Sequence, residues 1–263
     1  MAVHASSIVS PGAQLGAGVE VGPFTLIGSH VQIGAGTRIG SHVVLDGHTQ
    51  IGERCEIFAG ACIGTPPQDK KYKDQISRIL IGNENVLREY VTIHRGSTEG
   101  ARTVIGDRNY LMVGCHVGHD CHIGNDVTMA NGTILGGHAR IEDLAVLGGY
   151  SGVHQFVRIG KLAMLGAFSK AVMDVPPYAL CDGYPARLFG LNSIGLKRAG
   201  YPSKTTLALK RAYKILFMSG LTFAHALKRI EAEIEPEDVI QHLLSFVENS
   251  KRGVLRASGR TEE

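Results

Sequence analysis

The stretch that decides the fold is VEVGPFTLIGSHVQIGAGTRIGSHVVL, residues 19–45. An aliphatic residue recurs here at every sixth position, and a small or β-branched residue stands four positions after it, as at Thr25, Val31 and Thr37. Glycine directly follows most of the aliphatic residues. Neither a helical period nor plain strand alternation gives this pattern, whereas a short strand followed by a sharp corner does.

The same six-residue register extends from Val3 to Leu165. It is aliphatic or Met at 25 of its 28 positions, and the three exceptions are Asp69, Gln75 and Glu99. Three hexads make one coil of a solenoid, and stacked coils share strand hydrogen bonds at about 4.8 Å. The pattern therefore predicts an all-β solenoid in which many of the 34 glycines turn corners. Collagen and disordered chains are excluded, because the first needs Gly at every third position and the second needs fewer aliphatic residues.

Two polar insertions interrupt the register, at residues 64–80 and 94–103. Solenoids accept insertions on one face, often the binding face. The first insertion carries Asp69, Lys71 and Tyr72, which are polar groups able to close over an anionic substrate. We therefore expect both insertions to lie beside the functional site.

Helical signals replace the hexads after residue 180. Ser203 is expected to cap a helix that runs through Met218, a second helix is expected at about residues 222–234, and a third follows Pro236. These helices would close the open end of the solenoid, whose last coil would otherwise expose strand edges. The predicted organisation is a β-helix over residues 1–189 and a C-terminal helical domain, an α cap, over residues 190–263.

Charge and cysteine usage limit the function classes. Residues 1–189 carry 15 Lys and Arg against 16 Asp and Glu, while residues 190–263 carry 12 against 8, so an acidic partner should meet the C-terminal region and no nucleic-acid binding is expected. The five cysteines form no CxxC pair and are odd in number, so neither a disulfide framework nor a thiolate metal site is expected. We therefore expect the protein to lie in a reducing cytosol. Cys55, Cys115 and Cys121 occupy the small inward position and are expected to fill the core. No leader segment or membrane span is expected.

The run GCHVGHDCH, residues 114–122, holds the densest set of ionisable groups in the solenoid. Residues 18 apart should lie one above the other, which places Gly137 over His119 and His138 over Asp120. A His base with a backbone amide one coil above it could abstract a proton from a hydroxyl and stabilise an oxyanion. The pair His30 and His48 has the same spacing but no insertion beside it, so we assign it to the solvent face.

The repeat resembles the hexapeptide pattern of left-handed parallel β-helices over residues 3–180. Five further motifs, together with the C-terminal helices, resemble the UDP-N-acetylglucosamine O-acyltransferase family: TIHRG (92–96), HVGHDCHIGN (116–125), GGYSGVHQF (148–156), DVPPY (174–178) and GLKRAGY (195–201). The resemblance implies transfer of an (R)-3-hydroxyacyl group from acyl carrier protein to the sugar 3-hydroxyl, the first step of lipid A biosynthesis. It also implies a homotrimer with active sites between subunits.

The resemblance further implies roles for individual residues. His119 would be the general base, Asp120 the residue that orients it, and Gly137 the donor of the oxyanion amide. Substrate or acyl-chain contacts would come from His116, His138, Asp69 and Lys71, nucleotide contacts from Gln155, Asn192 and Arg198, and acyl-chain length from Ala167, Phe168 and Met164. No metal and no cofactor are implied, because the acyl group arrives on the phosphopantetheine of acyl carrier protein.

Several alternatives stay open at this point. Pro185 replaces a family histidine, and Ala199 replaces the second residue of a basic pair, which puts the pyrophosphate contacts in question. The acceptor could carry a 3-amino group, and the donor could be acetyl-CoA. A zinc hydratase uses the same solenoid, although His116 and His122 lie on successive faces. The partner acyl carrier protein is acidic and could meet a basic cluster in the C-terminal region: Lys197, Arg198, Lys204, Lys210, Arg211 and Lys214.

Overall fold

The computed structural model describes residues 2–257. The last six residues of the predicted helical domain, 258–263, lie outside the described residues. Most strands contain only two residues because each hexad has room for one short strand and one corner. In chain order the strands are β1 (Ala2–Val3), β2 (Ile8–Val9), β3 (Gln14–Leu15), β4 (Glu20–Val21), β5 (Leu26–Ile27), β6 (Gln32–Ile33), β7 (Arg38–Ile39), β8 (Val44–Leu45), β9 (His48–Ile51), β10 (Glu56–Ile57), β11 (Cys62–Thr65), β12 (Arg78–Ile81), β13 (Val86–Leu87), β14 (Thr92–His94), β15 (Arg102–Ile105), β16 (Tyr110–Leu111), β17 (His116–Val117), β18 (His122–Ile123), β19 (Thr128–Met129), β20 (Ile134–Leu135), β21 (Arg140–Ile141), β22 (Val146–Leu147), β23 (Gly152–Val153), β24 (Arg158–Ile159), β25 (Met164–Leu165), β26 (Lys170–Ala171), β27 (Ala179–Asp182) and β28 (Arg187–Leu191).

From β1 to β26 every third strand belongs to the same sheet, so the strands form the three faces of a parallel β-helix. The first sheet runs from β1 through β4 and β7 to β27 and β28, the second from β2 to β26, and the third from β3 to β24. Pairing is parallel throughout except for the hairpin of β27 and β28, which ends the first sheet. This arrangement confirms the β-solenoid that the six-residue register predicts.

The two insertions preserve the register because each adds whole hexads. Ile63 pairs with Ile93 across the first insertion, an offset of 30 (93 − 63) that exceeds one 18-residue coil by 12. Ile93 pairs with Val117 across the second, an offset of 24 (117 − 93) that exceeds it by 6. Strands β11 and β12 extend into the stretch 64–80, so the loop proper spans residues 66–77, and the second loop spans residues 95–101. Both loops leave the coil without shifting any side chain to the wrong face.

The core is a column of two kinds of inward side chain, one large and one small in each hexad. The large residue is the aliphatic of the register, and the small one is a residue such as Val31, Thr37 or Cys55, each fully buried. The buried Thr37 hydroxyl donates to the Gly52 carbonyl at 2.9 Å and accepts from the Cys55 amide at 3.0 Å, so the polar atom is satisfied. The inward cysteines fill space, and burial raises the pKa of the Cys121 thiol to about 12.

Four helices follow the coils: α1 (Ser193–Arg198), α2 (Ser203–Met218), α3 (Phe223–Glu233) and α4 (Asp238–Glu248). The prediction that Ser203 caps α2 is wrong, since Ser203 is the first helical residue and Pro202 precedes it without a side-chain cap. Helix α1 was not predicted because six residues are too short to show a helical period. In the described part of the chain, no helix is long and apolar enough to cross a membrane.

Side chains from the helices hold the cap to the last coils. The Tyr213 hydroxyl donates to the carbonyl of Pro177. His242 on α4 lies 3.0 Å from the Glu142 carboxylate on the solenoid. Buried apolar residues of α2 and α4, including Leu209 and Leu243, belong to the same core as the coils. The helices therefore cover the end of the solenoid, as the capping hypothesis requires.

Close stacking of corner glycines gives a stability prediction. A Cβ at Gly34 would lie 2.5 Å from the carbonyl carbon of Gly52 on the next coil, whereas a Cβ at Gly152 would meet nothing within 4 Å. We expect Gly34→Ala to lower the free energy of unfolding by about 1–3 kcal/mol, because the backbone of the neighbouring coil must move. Gly152→Ala should change it by less than about 0.5 kcal/mol. Equal denaturation midpoints for the two variants, measured in guanidinium, would contradict this explanation of the glycine usage.

Candidate active site

The catalytic candidates His119 and Asp120 occupy the corner between β17 and β18. Asp120 has a positive φ of 60°, which turns the chain and directs its carboxylate beside the preceding imidazole. The corner is fixed from below, because the Asp120 amide donates to the Thr103 hydroxyl at 2.9 Å. The same hydroxyl donates to the His94 carbonyl at 2.7 Å. The second insertion thus supplies the support on which this corner rests.

The two side chains form a close pair, with 2.7 Å between His119 Nδ1 and Asp120 Oδ2. Oδ2 also accepts a hydrogen bond from the Ser97 amide at 3.1 Å and lies 3.6 Å from His138 Nε2. Burial opposes ionisation of Asp120, but the hydrogen bonds from Ser97 and His119 and the charge of His138 together lower its pKa. Asp120 is therefore a carboxylate at neutral pH and can only accept.

A carboxylate on Nδ1 determines the tautomer of His119. Since the carboxylate has no proton to give, His119 Nδ1 must carry the hydrogen, which leaves the Nε2 lone pair free when the ring is neutral. The His119 side chain is 18% exposed and that of Asp120 10%. The pair is thus shielded yet reachable, as a general base must be.

Gly137 lies directly over this imidazole, as the 18-residue spacing predicts. A Cβ on Gly137 would come within 2.6 Å of His119 Cε1 and Nε2, so glycine is needed for the close approach. Among residues 2–257 no acceptor is found for the Gly137 N–H. A cavity of about 190 Å³ is lined by both residues together with Gln68, His94, His116 and other groups. A free amide and a free Nε2 therefore meet at one small cavity.

His116 lines the same cavity from the neighbouring strand position. Its Nδ1 lies 2.8 Å from the Thr92 hydroxyl, which orients the ring. Burial, with the nearby charges of His94 and His119, lowers the pKa of His116, so the ring is neutral at pH 7. A neutral ring in this place can donate or accept a hydrogen bond to a substrate without adding charge.

Sequence reasoning missed His94 as a site residue. It is only 8% exposed, its Nδ1 lies 2.7 Å from the Pro66 carbonyl, and its ring centroid is 5.2 Å from that of His116. It ends β14, where the chain leaves the coil for the second loop. The available signal was its position in TIHRG at the edge of an insertion, a place where solenoids concentrate function.

The first loop reaches the cavity through a different residue from those predicted. Gln68 lines it, whereas Asp69 and Lys71 do not, and the Asp69 carboxylate accepts from the Lys71 amide at 2.9 Å within the loop. Arg95 holds the loop, because its Nε donates to the Tyr72 hydroxyl at 3.1 Å and its Nη1 donates to the loop-base carbonyl of residue 64 at 3.1 Å. Lys71 is exposed and free to turn toward a ligand.

The predicted nucleotide residues lie apart from this cavity in the single chain. Gln155 lies one coil above Gly137, with its backbone nitrogen 2.8 Å from a Cβ built on Gly136. Asn192 caps α1, accepting from the Gly195 amide at 2.9 Å and donating to the Leu162 carbonyl at 3.0 Å. Arg198 is exposed at the end of α1. None of the three lines the cavity at His119.

The predicted chain-length residues surround the corner between β25 and β26. Phe168 is 69% exposed and stacks on Tyr150 of the coil below at 5.4 Å. Ala167 precedes it in the corner, and Met164 lies on β25. The corner at Phe168, here called the aromatic corner, borders one edge of the second sheet. The catalytic corner of His119 and Asp120 borders the opposite edge, and the outer face between them carries the 53% exposed Ile134.

One group of side chains among the described residues could hold a metal ion. Ligand atoms of His119, Asp120 and His138 lie within 4.8 Å of one another. The sequence predicts no metal here. Asp120 Oδ2 already accepts from the Ser97 amide and pairs with His119 Nδ1, so a metal would have to displace that pairing.

A β-helix with glycine at its corners, carrying a His–Asp pair and a free backbone amide at one cavity, is the kind of fold and site found in hexapeptide-repeat transferases. Consistently, the family described as bacterial transferase hexapeptide (six repeats) matches residues 12–47 and 102–137. The family described as UDP N-acetylglucosamine O-acyltransferase, domain 2, matches residues 174–255.

Relatives extend the match to nearly the whole chain. The acyl-[acyl-carrier-protein]--UDP-N-acetylglucosamine O-acyltransferases of Thermodesulfovibrio yellowstonii and Thiobacillus denitrificans are 48% and 46% identical, each over 97% of this chain and 99% of theirs. The solved structure of LpxA from Acinetobacter baumannii superposes with a TM-score of 0.91 at 40% identity, over 97% of this chain and 99% of that one. The chain belongs to the UDP-N-acetylglucosamine O-acyltransferase family. The left-handed β-helix, the helical cap and the acyltransferase class that the sequence motifs implied are confirmed.

The contact between Gly137 and His119 gives a prediction about activity. In Gly137→Ala the new methyl group would push the imidazole away from its place, so we expect acyl transfer to fall by at least about 100-fold with the fold intact. The control is Gly149→Ala, whose Cβ would lie 3.4 Å from its nearest neighbour, the Asn131 carbonyl. Steady-state rates and circular dichroism of both variants test this. Full activity in Gly137→Ala would show that the close approach is not needed.

Proposed function

We propose that this protein transfers an (R)-3-hydroxyacyl group from acyl carrier protein to the 3-hydroxyl of UDP-N-acetylglucosamine, the first step of lipid A biosynthesis. The observation that carries the proposal is the 2.7 Å contact between His119 Nδ1 and Asp120 Oδ2, with the unpaired Gly137 amide one coil above. The relatives described above are named acyl-[acyl-carrier-protein]--UDP-N-acetylglucosamine O-acyltransferases, which supports the carrier protein as donor and the UDP-sugar as acceptor. No cofactor enters the proposal, because the thioester on the phosphopantetheine of the carrier is already activated.

The proposed reaction starts with proton abstraction. His119 Nε2 takes the proton of the sugar 3-hydroxyl while the oxygen forms a bond to the thioester carbonyl carbon. The resulting imidazolium is stabilised by the Asp120 carboxylate on Nδ1. The carbonyl oxygen becomes an oxyanion and accepts a hydrogen bond from the Gly137 N–H. When the carbon–sulfur bond breaks, His119 returns its proton to the leaving thiolate, so protons and charges balance.

Substrate contacts are assigned to the groups around this cavity. His116, neutral through its lowered pKa, would hydrogen bond to the sugar or acyl group without attracting an anion. His138 lies on the far side of Asp120 and stacks on Phe156 at 4.5 Å, a surface that suits the acyl donor. Lys71 and Asp69 would close from the first loop onto the phosphate and sugar, with Gln68 already at the wall.

A homotrimer with active sites between subunits is part of the proposal, because the proposed nucleotide residues lie away from the cavity at His119. Asn192 and Arg198 lie in the cap region of the chain and do not line the cavity at His119. In a homotrimer with sites between subunits, a neighbouring chain would supply these residues together with Gln155. Asn192 would then act through its place at the start of α1, while Arg198 would reach a phosphate. Pro185 and Ala199 remove two family contacts, so we expect weaker nucleotide binding than in relatives that keep them.

The acyl chain is assigned to the outer face of the second sheet. This face carries the exposed Ile134 and the open Gly152 between the catalytic corner and the aromatic corner. Ala167 and Phe168 lie in the corner at its upper end, and Met164 lies on the adjoining strand β25 of the first sheet, so their volume would set the length of chain that fits. Exposed apolar surface next to a thioester site is what an acyl group needs.

Docking of acyl carrier protein is assigned to α2. Lys210, Arg211 and Lys214 are exposed along that helix. Lys204 is a weaker candidate because its Nζ pairs with the Glu235 carboxylate at 2.9 Å. Such a basic face would attract an acidic carrier protein and speed its association. This attraction would become weaker as the salt concentration rises.

The test is turnover of UDP-N-acetylglucosamine with 3-hydroxyacyl carrier proteins of several chain lengths, compared between wild type and His119→Ala. We expect the variant to lose about 100-fold to 10,000-fold in rate, since it lacks the general base. His30→Ala is the matched control, because His30 stacks on His48 in the N-terminal coils, at 4.4 Å between ring centroids, and has no part in the site.

The same assay separates the alternatives. Faster transfer to a 3-amino UDP-sugar than to UDP-N-acetylglucosamine would show that the enzyme is an N-acyltransferase. A preference for acetyl-CoA over 3-hydroxyacyl carrier protein would show that acetyl-CoA is the donor. Stoichiometric zinc with carbon dioxide hydration would support the hydratase class instead. A His119→Ala variant as active as wild type would contradict the mechanism.

A further inference from the structure

A second, larger cavity of about 890 Å³ lies on the other side of the catalytic corner. Asp120 and His138 form one of its walls, with Phe156 beside them. The rest of the wall includes Asp174 and Asn249 but is dominated by basic residues. Five cationic side chains line the cavity: Arg102, Arg140, Arg158, Lys251 and Arg252.

The regular stacking of the third sheet builds this basic row. His122 pairs with Arg140, and Arg140 pairs with Arg158, so the three outward side chains stand on successive coils. The row rises two strand spacings, about 9.6 Å, from the coil of Asp120 toward the cap. Lys251 and Arg252 complete it from the segment after α4, which the bridge between Asp174 and Val254 holds against the solenoid.

Most of this positive charge is uncompensated. Arg158 is neutralised by Asp174, with 2.9 Å between Nε and Oδ2. Across residues 2–257, no carboxylate lies within 4.0 Å of the side-chain nitrogens of the other four cations. Burial lowers the pKa of His122, and the neighbouring charges of Arg140 and Arg102 lower it further. The Arg252 Nη2 also donates to the Val172 carbonyl at 3.2 Å. Arg102 and Arg140 therefore carry the most available guanidinium groups, which are suited to a phosphate because Arg binds it in a bidentate manner.

The position of the cavity favours the donor over the nucleotide. The proposed nucleotide residues Gln155, Asn192 and Arg198 do not line it, and the first loop does not reach it. It begins at Asp120 and His138, beside the place where the thioester reacts, and extends away along the coil axis. A donor with a thioester at one end and a phosphate at the other would span this path.

We propose that the basic cavity binds the phosphate of the phosphopantetheine arm that carries the acyl group. This inference rests on the proposed function and assigns a donor site distinct from the carrier's docking face on α2. Arg140 and Arg102 supply the hydrogen bonds, and Lys251 and Arg252 add charge at the upper end. Phe156 contacts the apolar part of the arm.

The experiment uses two donors that differ only in the terminal phosphate: a 3-hydroxyacyl-phosphopantetheine and the corresponding 3-hydroxyacyl-pantetheine. We expect wild type to prefer the phosphorylated donor by about tenfold or more in kcat/KM, the value of a charge-assisted hydrogen bond. In Arg140→Glu and Arg102→Glu this preference falls toward unity. Both side chains are exposed, so the fold should be retained.

The control is Lys228→Glu, an identical change of charge on the exposed face of α3, which lies outside the cavity and should keep the preference. Calorimetric binding of phosphopantetheine and pantetheine gives a readout that does not depend on turnover. An unchanged preference in Arg140→Glu would overturn the proposal. So would a raised KM for the UDP-sugar with donor preference intact, which would assign the cavity to the nucleotide. Phosphate-dependent binding with no transfer from any donor would refute the proposed function but not the cavity's ligand.

Discussion

The hydrogen bonding of each coil to the next is the constraint on which everything else depends. Because a regular coil contains 18 residues, the position of a residue in the sequence determines which residues lie above and below it. The backbone must approach closely at the corners, where a Cβ on Gly34 would meet the next coil at 2.5 Å. The same closeness lets a backbone amide stand over an imidazole. Fold and site are therefore consequences of one repeat distance.

The catalytic corner of His119 and Asp120 has a cavity on each side. On the side of the second sheet, the Nε2 of His119 and the Gly137 amide share a small cavity. On the side of the third sheet, Asp120 and His138 border a large basic cavity. Asp120 joins the two, because its carboxylate pairs with His119 and faces the basic side. Its lowered pKa keeps it charged well below neutral pH, so the pairing with His119 holds over the range in which the imidazole can act as a base.

Much of this was readable from the sequence, because a solenoid converts spacing into position. The stacking of Gly137 over His119 and of His138 over Asp120 follows from the 18 residues in each coil alone. The parts that could not be predicted are those that leave the repeat. Gln68 reaches the cavity instead of Asp69 or Lys71 because Arg95 and Tyr72 shape the loop, and loop shape has no periodic signal. His94 was overlooked because its burial depends on that loop.

The cap shows the same division. Helices α2, α3 and α4 follow apolar periodicity and were expected, while α1 is a single short helix set by the Asn192 side chain. The basic row of the third sheet was visible in the sequence only as scattered arginines. Knowledge of which residues share a column, and of the segment 251–252 returning to it, is needed to see a single cavity.

His119 can act as the proposed base only if it holds its proton on Nδ1 and presents a free Nε2 below Gly137. Side-chain ¹⁵N NMR of the histidines at a pH where the ring is neutral measures this directly. We predict a pyrrole-type shift for Nδ1 and a pyridine-type shift for Nε2 of His119. In Asp120→Asn we expect the preference for this tautomer to be lost. A pyrrole-type Nε2 in the wild-type protein would contradict the proposed base.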